Sequence, residues 1–232
     1  MYNKGEALKA RPIRGGHDMP FYECWGCGTL VLTADNPQIR IYCPDCKREH
    51  PQKLESKRQE YLRLRAELMW ERALRFIEKQ EARMYLYQEA AKVVREKALN
   101  DVEAFDSAHE MIAAMELLRV PTKIKIHPTV GRHKPDIMLP NEKAILEIDG
   151  YMHKHIKKQD YKRDIKMRQV LGPDWEVIRI PTKYLERNSA ALYRAIKEMK
   201  RHQQKLRRQY NGLLPPNYSK RDAAVWKKVM EM

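Results

Sequence analysis

Three carboxylates and a histidine stand at short, ordered intervals in the middle of this chain: Asp136, Glu147, Asp149 and His153. Asp136 follows Lys134-Pro135 and opens the apolar run Ile137-Met138-Leu139, while Glu147-Ile148-Asp149-Gly150 closes the run Ala144-Ile145-Leu146. Alternate residues of an extended segment face opposite sides, so Ile145, Glu147 and Asp149 share one face and Ala144, Leu146 and Ile148 the other. Glu147 and Asp149 then project together, about 7 Å apart along the strand. If residues 134–139 pair beside this strand, Asp136 brings a third carboxylate to the same space. Like charges in such a cluster disfavour ionisation. A hard divalent cation, Mg²⁺ or Mn²⁺, removes that cost and suits oxygen ligands. The alternative is three solvated acids at strand ends.

Cys24-Trp25-Gly26-Cys27 and Cys43-Pro44-Asp45-Cys46 form a second constellation and contain every cysteine of the chain. Two CxxC pairs at this separation read as a four-cysteine structural Zn²⁺ site, in which each tight turn presents two thiolates. Thr29 to Thr33 and Ile39 to Tyr42 are β-prone, and Asp35-Asn36-Pro37 supplies a turn, so a zinc ribbon built on that hairpin is expected. Redox dithiols or disulfides fit less well in a basic chain with no recognisable leader.

Composition points to a polyanionic partner. Lys plus Arg total 46 against 31 Asp plus Glu, a formal net charge of +15, which raises affinity for nucleic acid and makes it salt-dependent. No segment has the apolar length to span a bilayer, and a cytoplasmic protein without a membrane partner is expected. The segment 154–168 concentrates positive charge beside the acids, at Lys154, Lys157, Lys158, Lys162, Arg163, Lys166 and Arg168, and Lys134 adds to it. Such a run is commonly a solvated helix face; next to an acidic metal site it also suits a phosphate backbone.

The elements that must position these residues can be sketched from periodicity. Residues 1–51 hold the ribbon. Residues 52–101 lack Gly and Pro and favour helix, with partial heptads such as Leu54, Tyr61 and Leu68. One unbroken helix there would reach about 70 Å, so the segment is an arm, a seam for a homodimer or protein partner, or two helices folded back. Asn100-Asp101 marks its break, with Asp101 capping a helix from about Val102 to Leu118 that carries Phe105, Ala108, Ile112 and Met115 on one face. Residues 184–232 read as a basic helix, from Tyr184 to Tyr210, and a tail in which Trp226 is a docking contact rather than a base-stacking residue.

Pro135-Asp136, Glu147-Ile148-Asp149-Gly150, His153, Asp160, Arg163, Leu171-Gly172 and Val177-Ile178-Arg179 together resemble the PD-(D/E)xK nuclease superfamily, most closely its Vsr-like (very-short-patch-repair) branch. The resemblance spans about residues 103–181 and implies an α/β (α+β) restriction-endonuclease-like core over 102–183. In that core a helix precedes three strands, followed by a helix and a further strand. It also implies that Glu110, on the first helix, joins Asp136 and Glu147 at the metal. Where the superfamily usually has lysine this chain has Asp149, which leaves the general base or charge stabiliser unassigned, and His153 is the nearest replacement. The activity so implied is phosphodiester hydrolysis by a DNA endonuclease, with Mg²⁺ or Mn²⁺ lowering the pKa of bound water. A non-catalytic zinc-ribbon binder or adaptor with a nuclease-like fold, or an RNA nuclease, would carry the same motifs.

Overall fold

In the computed structural model the described residues are 21–24, 27–32, 42–49, 51–80, 84–150, 157–215 and 218–230. The chain divides into two compact units, residues 1–62 and 63–232. In the first, β1 (Phe21–Glu23) pairs antiparallel with β2 (Leu30–Leu32), followed by helix α1 (Pro44–Glu49) and the start of α2 (Pro51–Lys79). This hairpin wraps the first cysteine pair; the expected hairpin between the pairs would need residues 33–41, which lie outside the described set. The second pair instead opens a helix. Pro44 stands at the first helical position, where its missing N–H is no loss, and Asp45 in the first turn suits the helix dipole.

The second unit is a mixed α/β layer structure. Its sheet has the order β3 (Lys125–Ile126), β4 (Ile137–Leu139), β5 (Ala144–Asp149), β6 (Glu176–Pro181). The first three pair antiparallel, and β5 and β6 pair parallel. A parallel neighbour requires a crossover, and α5 (Lys157–Leu171) supplies it. With α4 (Ala108–Leu118) ahead of β3, the elements run helix, three strands, helix, strand, the order expected from the motifs.

Alternation along β5 sorts its side chains as the sequence requires. Ala144 and Leu146 join Ile137, Leu139, Ile178 and Ile180 in the main core with α4, whereas Ile145 joins Met138, Val177 and Met167 of α5 in a second cluster. Burial on both faces explains why this strand is continuously apolar up to Glu147. Helix α4 is the central buried element, with Met111 to Met115 and Leu117 fully enclosed.

Several boundaries differ from the periodicity reading. The polar segment is two helices, one of the arrangements left open by its length: α2 stops at Lys79, and after a 3-10 turn at Met84–Tyr87 the chain resumes as α3 (Gln88–Asn100). Neither Gly nor Pro marks this stop. Gln80 holds it instead, its Nε2 donating to the Leu185 carbonyl (2.6 Å) and its Oε1 accepting from Ser189 N (2.6 Å). Asp101 caps only a short turn, accepting from Glu103 N at 3.2 Å, and α4 begins later, after the N-cap Ser107. The basic C-terminal helix is likewise two, α6 (Thr182–Asn188) and α7 (Leu192–Gln209), followed by α8 (Tyr218–Met230). Ala90, Val94 and Ala98 of α3 and Trp226, Val229 and Met230 of α8 share the main core with α4. From Arg63 onward, arm, core and tail are therefore one unit rather than three. Trp226 is a docking residue, 1% exposed and stacked 5.9 Å from Tyr184. Among the described residues no helix is long and apolar enough to cross a membrane.

Candidate functional site

Sheet register brings the acids together. Ile137 lies opposite Leu146, so the preceding residue, Asp136, falls beside Glu147 on the face shared with α5. Across the parallel ladder Glu147 is paired with Arg179. One row across the sheet thus reads Asp136, Glu147, Arg179. Asp136 Oδ2 accepts from Ile148 N at 2.6 Å, which ties the start of β4 to the end of β5. Arg163, on α5 above this face, donates to Glu147 Oε2. Arg179 Nη1 donates to Asp149 Oδ1 at 3.1 Å, and its Nε and Nη2 grip Asp164 at 3.2 and 2.8 Å. Glu147 and Asp149 therefore each hold a guanidinium group, with Asp136 beside Glu147.

Burial decides the electrostatics. Glu147 is 5% exposed, and desolvation pushes its pKa up to about 8, reinforced by Asp136 and only partly opposed by Arg163 and Arg179. Asp136 is pushed up to about 6, again chiefly by burial; the Ile148 N–H and the charges of His127 and Arg163 act in the opposite direction, and Glu110 adds to the rise. Glu147 Oε1 is buried without any hydrogen-bond partner among the described residues. A buried carboxylate oxygen in that condition calls for a proton, a water or a cation.

Glu110 has a different setting from the one the motifs imply. Ser107 and Glu110 form a capping box: Ser107 Oγ accepts from Glu110 N (3.2 Å), and the Glu110 carboxylate receives Ser107 Oγ–H (2.8 Å) and Asp106 N–H (2.8 Å). Its Oε2 also lies 3.1 Å from His127 Nε2. At ligand spacing Glu110 groups with Asp106 and His127, all within 4.8 Å of one another, and not with Asp136 and Glu147. It influences Asp136 through charge alone.

His127 was not singled out by sequence. It is a solitary histidine before Pro128, held at φ 45° between β3 and β4, with its N–H on the Asp136 carbonyl at 2.8 Å. The Glu110 carboxylate raises its pKa. No periodic or spacing signal marks it; only the fold brings it to Glu110 and Asp136. His153 and Lys154 lie outside the described residues, and of Lys157, Lys158 and Asp160 only the helical backbone is described.

The basic residues fall into two kinds. Lys134, Lys162 and Lys166 are exposed. Arg168 is not available to an external phosphate: its Nε donates to the Trp175 carbonyl (2.6 Å) and its Nη2 to that of Pro173 (2.7 Å), fastening the turn between α5 and β6. Arg207, from the basic C-terminal helix, is buried and pairs through Nε with both oxygens of Glu176, at 3.1 and 2.8 Å.

In the first unit the four cysteines converge as their spacing requires. Their Sγ atoms all lie within 4.8 Å of one another, and all four are free thiols. Cys43 N donates to Cys24 Sγ (3.1 Å) and Cys46 N to Cys43 Sγ (3.4 Å). Gly28, at φ 78°, closes the first knuckle by donating to the Cys24 carbonyl at 2.8 Å, a conformation that glycine adopts at no steric cost. Hydrogen bonds from Cys27 and Cys43 push the Cys46 thiol pKa far up. The cluster is compatible with a zinc site.

Compared with protein-family models, curated proteins and solved structures, the chain gives no match.

Proposed function

We propose that this chain is a metal-dependent DNA endonuclease with a PD-(D/E)xK-type core, carrying a structural Zn²⁺ on Cys24, Cys27, Cys43 and Cys46. The observation that carries the reading is the pairing of Asp136 with Glu147 across β4 and β5, with Glu147 Oε1 buried and without a partner among the described residues. Two clustered carboxylates with raised pKa values, one oxygen of them without a partner among the described residues, fit a divalent cation by the chemistry of their donors. Asp136 and Glu147 would hold Mg²⁺ or Mn²⁺, with Glu110 and His127 as the neighbouring charge. When bound, such an ion supplies Lewis-acid polarisation of a phosphate and a more acidic water.

The chain's own residues account for the remaining requirements. Asp149 cannot supply the cation usual at its position, but Arg163 and Arg179 bring two guanidinium groups to the same face. Freed from Glu147 when that carboxylate holds the ion, Arg163 would stabilise charge on the phosphate oxygens, while Arg179 stays on Asp149 and Asp164. Lys134, Lys162 and Lys166 would hold the flanking backbone. His153 stays in the proposal as general acid or base on sequence grounds.

The test is cleavage of plasmid, mismatched and branched DNA, and of RNA, with and without Mg²⁺ or Mn²⁺. Metal-dependent cutting that Asp136→Ala and Glu147→Gln reduce by about a hundredfold or more is expected. Cutting unchanged in Asp136→Ala would sink the site assignment. A second reading, a non-catalytic nucleic-acid binder, is favoured by one observation: Arg163 and Arg179 already neutralise the acids without a metal. Binding without cutting on every substrate would select it.

A further inference from the structure

Helix α2 carries a charge-sorted surface that the proposed site does not use. On the part belonging to the second unit, Arg65, Arg72, Phe76 and Lys79 recur at helical spacing along one stripe, with Arg75 beside it. Ala66, Ala73 and Ile77 form the buried stripe next to it, and the exposed acids Glu67, Glu71 and Glu78 collect on the other side of the helix. Arg72, Arg75, Phe76 and Lys79 line a shallow open depression. The Arg72 guanidinium lies over the Phe76 ring, 5.4 Å from its centroid. Among the described residues no carboxylate pairs with Arg72, Arg75 or Lys79, which contrasts with Arg163, Arg179 and Arg207.

The stripe leads to the candidate site. Arg65 Nη2 donates to the Asp106 carbonyl at 2.8 Å, and Asp106 N in turn donates to Glu110. Phe76 packs 5.4 Å from the ring of His109, the residue before Glu110. The stripe thus touches the start of α4 at two points, Asp106 before its N-cap and His109 in its first turn. From Arg72 to Lys79 the helix advances about 10 Å, the axial length of about three base pairs. Unpaired guanidinium and ammonium groups around an aromatic floor, on a straight track of that length, suit a regular polyanion.

We propose that the α2 stripe is a phosphate-binding track that holds the backbone of duplex nucleic acid outside the reaction site, with Arg72, Arg75 and Lys79 as the residues that meet it. This rests on the reading of the chain as a nucleic-acid-processing protein, not on its being catalytic. The experiment uses the full chain in buffer without divalent cations, so cleavage plays no part. Fluorescence anisotropy with a labelled DNA duplex of about two helical turns is followed as a function of salt. Arg72→Ala/Arg75→Ala/Lys79→Ala, with Phe76 retained because it packs on the core, is compared with Lys92→Ala/Arg95→Ala/Lys97→Ala, an equal charge loss on the exposed face of α3.

Weaker binding is expected in the α2 variant, with a log K against log [salt] slope shallower by about 2 to 3, since each phosphate no longer neutralised removes about 0.9. The α3 variant should change it by less than about one. An unchanged slope in the α2 variant would overturn the track, as would an equal change in both variants, since net charge alone would then explain the binding. Thermal melting of both variants at the wild-type temperature shows that the fold is intact; a lowered melting temperature in the α2 triple is met by the single variant Lys79→Ala, whose expected slope change is about 0.9.

Discussion

The parallel ladder of β5 and β6 has a buried glutamate at each end, and the two are treated oppositely. Glu176, 1% exposed at the start of β6, has both oxygens on Arg207 Nε, with Arg168 at 3.8 Å. Glu147, 5% exposed near the end of β5, receives Arg163 on one oxygen and, among the described residues, no partner on the other. Burial pushes both pKa values up and two arginines oppose the rise at each, but at Glu147 the neighbouring Asp136 reinforces it. The difference separates a carboxylate held for structure from one left with unused acceptor capacity. In parallel strands it also follows a directional rule: ligands gather at the carboxyl ends, where loops diverge.

The largest expected effect breaks the satisfied end. Arg207→Ala leaves Glu176 buried with only Arg168, at 3.8 Å, to oppose its charge, and should cost about 3–5 kcal/mol of unfolding free energy in urea denaturation. A loss below about 1 kcal/mol would mean that Glu176 relaxes to solvent and that the contrast is false.

At the unsatisfied end the expectation is pH-dependent. The native fold keeps a proton on Glu147 up to about pH 8, whereas in the unfolded chain the ordinary value of 4.5 applies. The native state then binds more protons across that window, so without divalent cation stability falls as pH rises from 4.5 to about 8. The slope contributed approaches about 1.4 kcal/mol per pH unit. Asp136, raised to about 6, contributes in the same direction over the lower part of the window. Glu147→Gln should remove the Glu147 contribution and be as stable as wild type, or more so, at the alkaline end. Mg²⁺ at about a hundred times its Kd should add about 2.7 kcal/mol to wild type there and little to the variant. An identical pH profile in both proteins would show that Glu147 is ionised throughout.

The smallest effects sort the basic residues. Arg168→Ala should lower stability by about 1–2 kcal/mol by removing its hydrogen bonds to the two carbonyls, and leave the salt slope of DNA binding unchanged. Lys166→Ala should do the reverse, reducing the slope by about 0.9 at unchanged melting temperature. An Arg168→Ala slope change as large as that of Lys166→Ala would return Arg168 to the nucleic-acid surface.

Legibility in the sequence followed the range of the interaction. The four cysteines and the shared face of Glu147 and Asp149 could be read directly, because a CxxC turn and a strand period fix neighbours a few residues apart. Ser107-Ala108-His109-Glu110 also carries the capping-box signature, a local signal that explains Glu110 better than the metal role inferred from the motif resemblance. The end of α2 was not legible, since Gln80 stops it by reaching Leu185 and Ser189 from far along the chain. Residues 182–209 broke into two helices for similar reasons of packing rather than composition.

By itself the sequence determined the donor types, their order and the faces on which alternation puts them, because backbone geometry repeats with a fixed local period. Only the tertiary structure decided which charges meet. Register set Arg179 beside Glu147, the α5 crossover lowered Arg163 onto it, the turn before β4 brought His127 to Glu110, and packing of α7 buried Arg207 against Glu176. Those pairings depend on desolvation and distance between remote segments, and neither quantity is encoded in the spacing of residues along the chain.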